Sequence, residues 1–328
     1  MTTTIRTSEP AELLALVPFQ LGFRPTESAV VVSLRRNQRV GLVARVDLGD
    51  LADRSTGPEV ARGVVGHVLA DGALSWVVVL FTAEDLQADP SAGRRVLAHL
   101  ADAGEPHLGD PNCWVVGPDG YYGLECSIRS CCPAGGRPLT DLQSTRVGAE
   151  MVLLGSAVER ERADLGRLPV VPAGDRRAAR RAAQRWSARL AATDGPAQAH
   201  RWRRASLGLW RSLLDASPSA RVPATDVGRL QAGLEDVLVR DAVLVDLVPG
   251  FSAVADRVAA GWDGPEVGEA LRAIVDPRRA VPPPGDRVRG AERVLRQVAA
   301  HRPSGAVPAL TLLAVLAWWQ GDGARSAV

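Results

Sequence analysis

The sequence predicts an α/β domain with a mixed sheet, followed by an all-α domain of helical hairpins. Three observations carry that expectation. Up to about residue 140, short apolar runs alternate with helix-period segments in the order β-β-α-β-α-β-β. From Ser144 onward the strand signal vanishes and only helical periodicity remains. The Pro-rich stretch "GRLPVVPAGD" (Gly166–Asp175) reads as a linker between the two patterns. The expected boundaries are 1–143 for the α/β domain, 144–175 for a connecting helix and linker, and 176–328 for the helical domain. A further helix is expected to follow "WWQGDGARSAV", where the chain stops just after a turn signal and reads as truncated.

The elements follow in order. Ser8 is placed to cap a short helix carrying Leu13, Leu14 and Val17, with its end expected near Pro18. Gly22 and Pro25 mark a turn. "AVVVSL" (Ala29–Leu34) and "VGLVARV" (Val40–Val46) read as strands joined by the polar "RRNQR". A helix through Val60, Val64 and Val68 should end near Gly72. "SWVVVLFT" (Ser75–Thr82) is almost wholly apolar, as a central strand covered on both faces requires. "SAGRRVLAHLADAG" (Ser91–Gly104) has a capping serine, an apolar helical face and a closing glycine. "CWVVG" and "YYGLEC" flank "PDG", a hairpin signal. Val147, Val152, Leu153 and Val158 fit a long helix leaving the first domain. Helix patterns then recur near 176–192, 199–215, 225–247, 251–260, 264–275, 286–301 and 306–320, with loops short enough for stacked hairpins.

Composition narrows the function. A 46% hydrophobic, 23% charged chain of 328 residues is globular and long enough for two domains. The formal net charge of +2 implies no bulk attraction to nucleic acid or membrane. All 39 basic residues are arginine, so lysine Schiff-base chemistry and a standard P-loop are excluded. The N-terminus lacks the pattern of a secretory signal, and the longest apolar stretch, Val307–Trp319, is too short to span a bilayer. A cytoplasmic location with reduced thiols is therefore expected, with no membrane partner. The five histidines are scattered, and no H-E-x-x-H, G-x-S-x-G or post-strand G-x-G-x-x-G occurs, so no catalytic residue is assigned.

Three groups of residues are candidate sites. The first is the cysteine cluster of "ECSIRSCCPAGG" together with Cys113. If Asp119-Gly120 forms a two-residue hairpin tip, Cys113 lies directly opposite Cys126, with Cys131 and Cys132 following after a short loop. Cys113, Cys126, Cys131 and Cys132 would then be ligands of a structural zinc, although C-x12-C-x4-C-C departs from the usual paired C-x2-C spacing. Alternatively, Arg129 and Arg137 would activate one thiol for redox chemistry. The spacing itself favours small reduced thiols that pack a tight turn. The second group is Arg24, Thr26 and Ser28, an anion-holding turn or simply a fixed lead into the first strand. The third is Arg177, Arg181 and Arg185, at helical spacing in a segment, Arg176 to Arg211, that holds ten arginines and a single acid, Asp194. With Trp186, Trp202 and Trp210 interleaved, these arginines either contact nucleic acid or form the solvated faces of helices whose tryptophans point inward.

Four stretches also resemble an actinobacterial domain-of-unknown-function family, number 4192. They are "LLALVPFQLGFRPTESAVVVSL" (Leu13–Leu34), "CSIRSCCPAGGRPL" (Cys126–Leu139), "LEDVLVRDAVL" (Leu234–Leu244) and "LTLLAVLAWWQGDGARSAV" near the C-terminus. The resemblance implies a cytosolic actinobacterial protein and a recurring C-x4-CCP turn. It supplies no activity, substrate or cofactor, and Cys113 is not part of its pattern. The expected function is that of a non-enzymatic interaction or scaffold protein. Its protein partner, or second copy, would meet the helical half at Trp318-Trp319. The alternatives are a thiol-redox or metal-dependent protein using Cys126, Cys131 and Cys132, or a nucleic-acid-associated protein using the helices of Arg176–Arg211.

Overall fold

The computed structural model describes residues 9–84, 86, 91–126, 128, 131–133, 135–217, 221–276 and 279–328. Ser8 and Arg129, both named above, lie outside the described residues. The chain divides into two compact units, Met1–Leu165 and Gly166–Val328. The first holds a mixed five-stranded sheet with helices and the second is helical. The fold class is therefore the one read from the sequence.

In the first unit the strands are β1 (Ser28–Arg35), β2 (Arg39–Asp47), β3 (Ser75–Phe81), β4 (Asn112–Val116) and β5 (Tyr121–Gly123), in the order β2-β1-β3-β4-β5. Only β3 and β4 pair in parallel; the other neighbours are antiparallel. The apolar run of β3 puts it at the centre, where residues from Trp76 to Phe81 are all buried. Its helices are α1 (Pro10–Leu21), α2 (Leu48–Ala52), α3 (Gly57–Ala70), α4 (Ala92–Leu108), α5 (Thr140–Gln143) and α6 (Arg146–Leu153). Val31, Val78, Leu80 and Val115 of the sheet share one core with Val65 and Val68 of α3 and with Val96 and Leu100 of α4.

Three helix ends differ from expectation, each for a local reason. α1 passes through Pro18 and stops one turn later at Gly22, whose φ of 76° is left-handed. α4 begins as expected, with Ser91 Oγ accepting from Arg94 N at 3.1 Å, but runs past Gly104 to Leu108. Gly104 is a packing residue instead: a Cβ there would lie 2.3 Å from the Trp76 ring. The long helix expected through Val158 is the short α6, because the chain turns back and Glu159 exchanges backbone hydrogen bonds with Gly22 and Arg24.

Asp71, just after α3, links that helix to the two strands beside it. Its carboxylate accepts from Ser33 Oγ and Arg35 of β1 and from Leu42 N of β2 at 2.9 Å. Leu42 N is free to donate because the register of β1 against β2 shifts between Val32 and Leu34.

The second unit contains α7 (Ala173–Ala191), α8 (Pro196–Asp215), α9 (Ala224–Glu235), α10 (Val237–Leu247), α11 (Ser252–Ala259), α12 (Pro265–Val275), α13 (Gly285–His301), α14 (Val307–Trp319) and α15 (Gly323–Ser326). The single helix expected over 225–247 is split at Asp236. That residue leaves helical geometry, and its carboxylate caps α10 by accepting from Leu238 N at 3.0 Å and Val239 N at 3.3 Å. The interleaved tryptophans all point inward. Trp186 and Trp202 stack at 5.9 Å, Trp202 Nε1 donates to the Trp186 carbonyl, and Trp186 Nε1 donates to Ser206 Oγ. Asp246 has no exposed side-chain surface and accepts from Arg211 Nε at 2.9 Å and Arg287 Nη2 at 2.8 Å, which joins α10 to α8 and α13. Trp318 is about half exposed, but Trp319 is buried and donates to the Val281 carbonyl. The exposed Trp318-Trp319 pair is thus a single exposed tryptophan. Among the described residues no helix is long and apolar enough to cross a membrane.

Burial pushes the Asp71 carboxyl up, but hydrogen bonds from Arg35, Ser33 and Leu42 N outweigh it and hold the group down at about 2. Because the folded value is depressed, its stabilisation is full above the unfolded value of about 3.9 and is lost as pH falls towards the folded value. Asp71→Asn is expected to destabilise the protein by about 1–3 kcal/mol in urea titrations near neutral pH. The gap between variant and wild type should close as the pH is lowered through that window. An unchanged gap at low pH would show that the carboxylate charge is not what matters.

Candidate metal centre

β4 and β5 form the predicted hairpin, but in another register. Val116 pairs with Tyr121 and Trp114 with Gly123, and Leu124 N donates to the Cys113 carbonyl. Cys113 therefore faces Leu124, not Cys126. Proline is the reason. A tip at Asp119-Gly120 would need a backbone N–H from residue 118, which Pro118 lacks. The turn is closed one residue earlier, where Gly117 N donates to the Gly120 carbonyl at 2.9 Å and Pro118 takes the first central position.

After Gly123 the chain leaves the sheet and returns to it. Tyr121 N donates to the Arg137 carbonyl at 2.9 Å and Arg137 N to the Tyr121 carbonyl at 2.8 Å, an antiparallel bridge outside the strands. The approach is close. A Cβ at Gly120 would lie 2.7 Å from the Arg137 carbonyl oxygen, and Gly136 adopts a φ of 82° against the Tyr121 backbone. Within the loop the Ile128 carbonyl accepts from both Cys131 N and Cys132 N, at 2.9 and 2.8 Å. Two consecutive side chains thus leave a single tight turn, while the bridge holds that turn beside β5.

The result is a triangle of thiols. The sulfurs of Cys126, Cys131 and Cys132 all lie within 4.8 Å of one another and are half-buried. Gly123 N donates to Cys132 Sγ at 3.3 Å, and Arg137 Nε donates to the Cys131 carbonyl at 2.6 Å. Cys113 does not join them. It packs against the sheet core, and its thiol donates to the Pro111 carbonyl at 3.5 Å. Burial, with Glu125 and Asp110 nearby, pushes it up to about 12. Cys126 is lowered from its ordinary value, first by a backbone hydrogen bond at Ile128, then by hydrogen bonding with Cys132 and Cys131 and by the Arg137 charge. Burial raises Cys132. All four cysteines are free thiols.

The set fits a thiophilic cation. Tetrahedral zinc with bonds of about 2.3 Å places its sulfurs about 3.8 Å apart, so a contraction of about 1 Å suffices. The Gly123 amide supplies the outer-shell donor that a ligating sulfur needs, and Arg137 offsets the net −1 of three thiolates on a dication. A fourth ligand from the described residues does not converge with the three. The bridge between Tyr121 and Arg137 was not legible in the sequence. Its one trace is the double glycine of "PAGGR", which permits the close return.

The other candidate residues are placed differently. Ser28 is buried, its hydroxyl donating to the Thr26 carbonyl at 2.6 Å and accepting from Arg45 Nε at 2.9 Å. Arg24 and Thr26 are exposed, and the Glu27 carboxylate between them and β1 accepts from Thr82 and Ala83. Of the three, Ser28 is engaged internally, whereas the side chains of Arg24 and Thr26 are exposed. Arg177, Arg181 and Arg185 all lie exposed along one face of α7. A cavity of about 290 Å³ in the second unit is bordered by Val170, Asp175, Arg221, Arg293 and His301. Asp175 and Arg221 pair with each other across 2.5 Å.

In metal-free protein near neutral pH, Cys126 should be alkylated by iodoacetamide first and Cys113 last, read by mass spectrometry of the peptides. Labelling of Cys113 as fast as Cys126 would contradict the environments described.

The chain has no significant match among curated proteins and none among solved structures. Residues 10–328 match the model of a family described as Domain of unknown function (DUF4192), and the protein is a member of that family.

Proposed function

We propose that the protein binds a zinc ion through Cys126, Cys131 and Cys132 and that its activity depends on that metal. The observation that carries this reading is the convergence of three sulfurs within 4.8 Å on one glycine-closed turn. Packing alone gives no reason for three consecutive departures of the chain to end at one point. A shared cation does, because it favours deprotonation of the thiols and each resulting thiolate gains from its charge.

Three protein ligands leave one tetrahedral position for water or a ligand atom, the arrangement that distinguishes reactive zinc from closed structural sites. The three cysteines lie in the segment that follows β5, the edge strand of the sheet, so a bound ion would be held by that segment. Bound zinc would supply Lewis-acid polarisation of an oxygen or a lowered pKa for water. The chain's own groups hold the sulfurs in place through Ile128, Gly123 and the Arg137 bridge.

Protein purified without chelator should contain about one zinc per chain by elemental analysis. Cys126→Ser, Cys131→Ser and Cys132→Ser should each lose it, whereas Cys113→Ser should retain it. Cobalt substitution should give thiolate charge-transfer absorption and the visible bands of a tetrahedral ion. No metal and no cobalt signature would reduce the turn to a packing element.

A further inference from the structure

The whole-chain charge of +2 conceals a division between the two units. Met1–Leu165 carries 15 arginines and 21 acids, a net −6, and Gly166–Val328 carries 24 arginines and 16 acids, a net +8. Within the second unit the arginines fall into two groups. Many are matched to a carboxylate, as in Arg203–Asp236, Arg211–Asp246, Arg257–Glu266 and Arg302–Glu235. Others, such as Arg201, Arg204 and Arg272, are exposed without such a partner, and the largest run of them lies on the outer face of α7. Arg176, Arg177, Arg180, Arg181 and Arg185 are all exposed. None of these guanidinium groups makes a hydrogen bond, ion pair or ring contact among the described residues.

That arrangement has a cost. Like charges four residues apart destabilise a helix by about 0.2–0.5 kcal/mol per pair, and 177/181, 181/185 and 176/180 are such pairs. A general preference for arginine over lysine explains which basic residue is used. It does not explain why five unmatched arginines gather on one helix face. The inner face of the same helix is committed to the core through Ala179, Ala182, Ala183 and Trp186. No apolar stripe of α7 is left to enter a bilayer, which an interfacial membrane helix requires.

We propose that the outer face of α7 binds the phosphate backbone of duplex nucleic acid, without reading its sequence. Arg177, Arg181 and Arg185 repeat about every 6 Å along a helix about 28 Å long, a row of planar donors that match phosphate oxygens. The tryptophans nearby are buried, so base stacking takes no part and single strands gain nothing over duplex. This inference is independent of the zinc site.

The test uses the full-length chain and fluorescence anisotropy with a short labelled DNA duplex of mixed sequence. Three phosphate contacts give a slope of about −2.7 in log K against log salt, or about 40-fold weaker binding between about 50 and 200 mM salt. Arg177→Glu/Arg181→Glu/Arg185→Glu should abolish binding, and the corresponding alanine variant should remove that slope. Both should retain the wild-type helical circular dichroism, because the residues are exposed. The idea is overturned if the duplex is not retained at about 50 mM salt, or if either variant binds like wild type. It is also overturned if polyglutamate or vesicles of anionic lipid bind as tightly as the duplex at equal salt.

Discussion

The backbone pair between Tyr121 and Arg137 is the constraint on which the candidate site rests. Two hydrogen bonds fix both ends of the loop that follows β5, and the loop contains Cys126, Cys131 and Cys132. Without that closure the cysteines would sit on an unpaired tail, and bringing three thiols together would carry the full cost of ordering the intervening residues. Gly120 and Gly136 are the permissive residues, since the two backbones meet where a side chain would not fit.

In the second unit, buried charge decides which surface charge is left over. Asp246 lies wholly inside, and Arg211 and Arg287 are drawn to it; Asp236 caps α10 and also holds Arg203. These acids are used inward, where an unpaired carboxylate would be costly. The outer face of α7 receives none of them. The uneven surface is thus tied to how the interior is neutralised.

Much of the fold was legible because it follows from period and burial. The apolar run of β3 announced a central strand, and Ser91 and the periodicity after it announced α4. The failures lie where a single residue changes a local geometry. Pro118, unable to donate, moved the hairpin tip and separated Cys113 from Cys126. Asp236 broke one expected helix into two. At the candidate site, residue types and spacing identified the three cysteines but argued against a shared metal, because C-x4-C-C carries no record of the returning chain. The charge of the whole sequence misled in a similar way: +2 is the sum of two large opposite terms that only the division into units separates.

The position of the cysteine turn has a consequence of another kind. β5 has only three residues and ends the sheet, so its outer backbone groups are a template on which another chain could add a strand. The Arg137 segment occupies part of that template. The same few residues that gather the thiols therefore also guard the domain against edge-to-edge aggregation. Loss of the Tyr121–Arg137 hydrogen bonds would bare the strand that this segment covers.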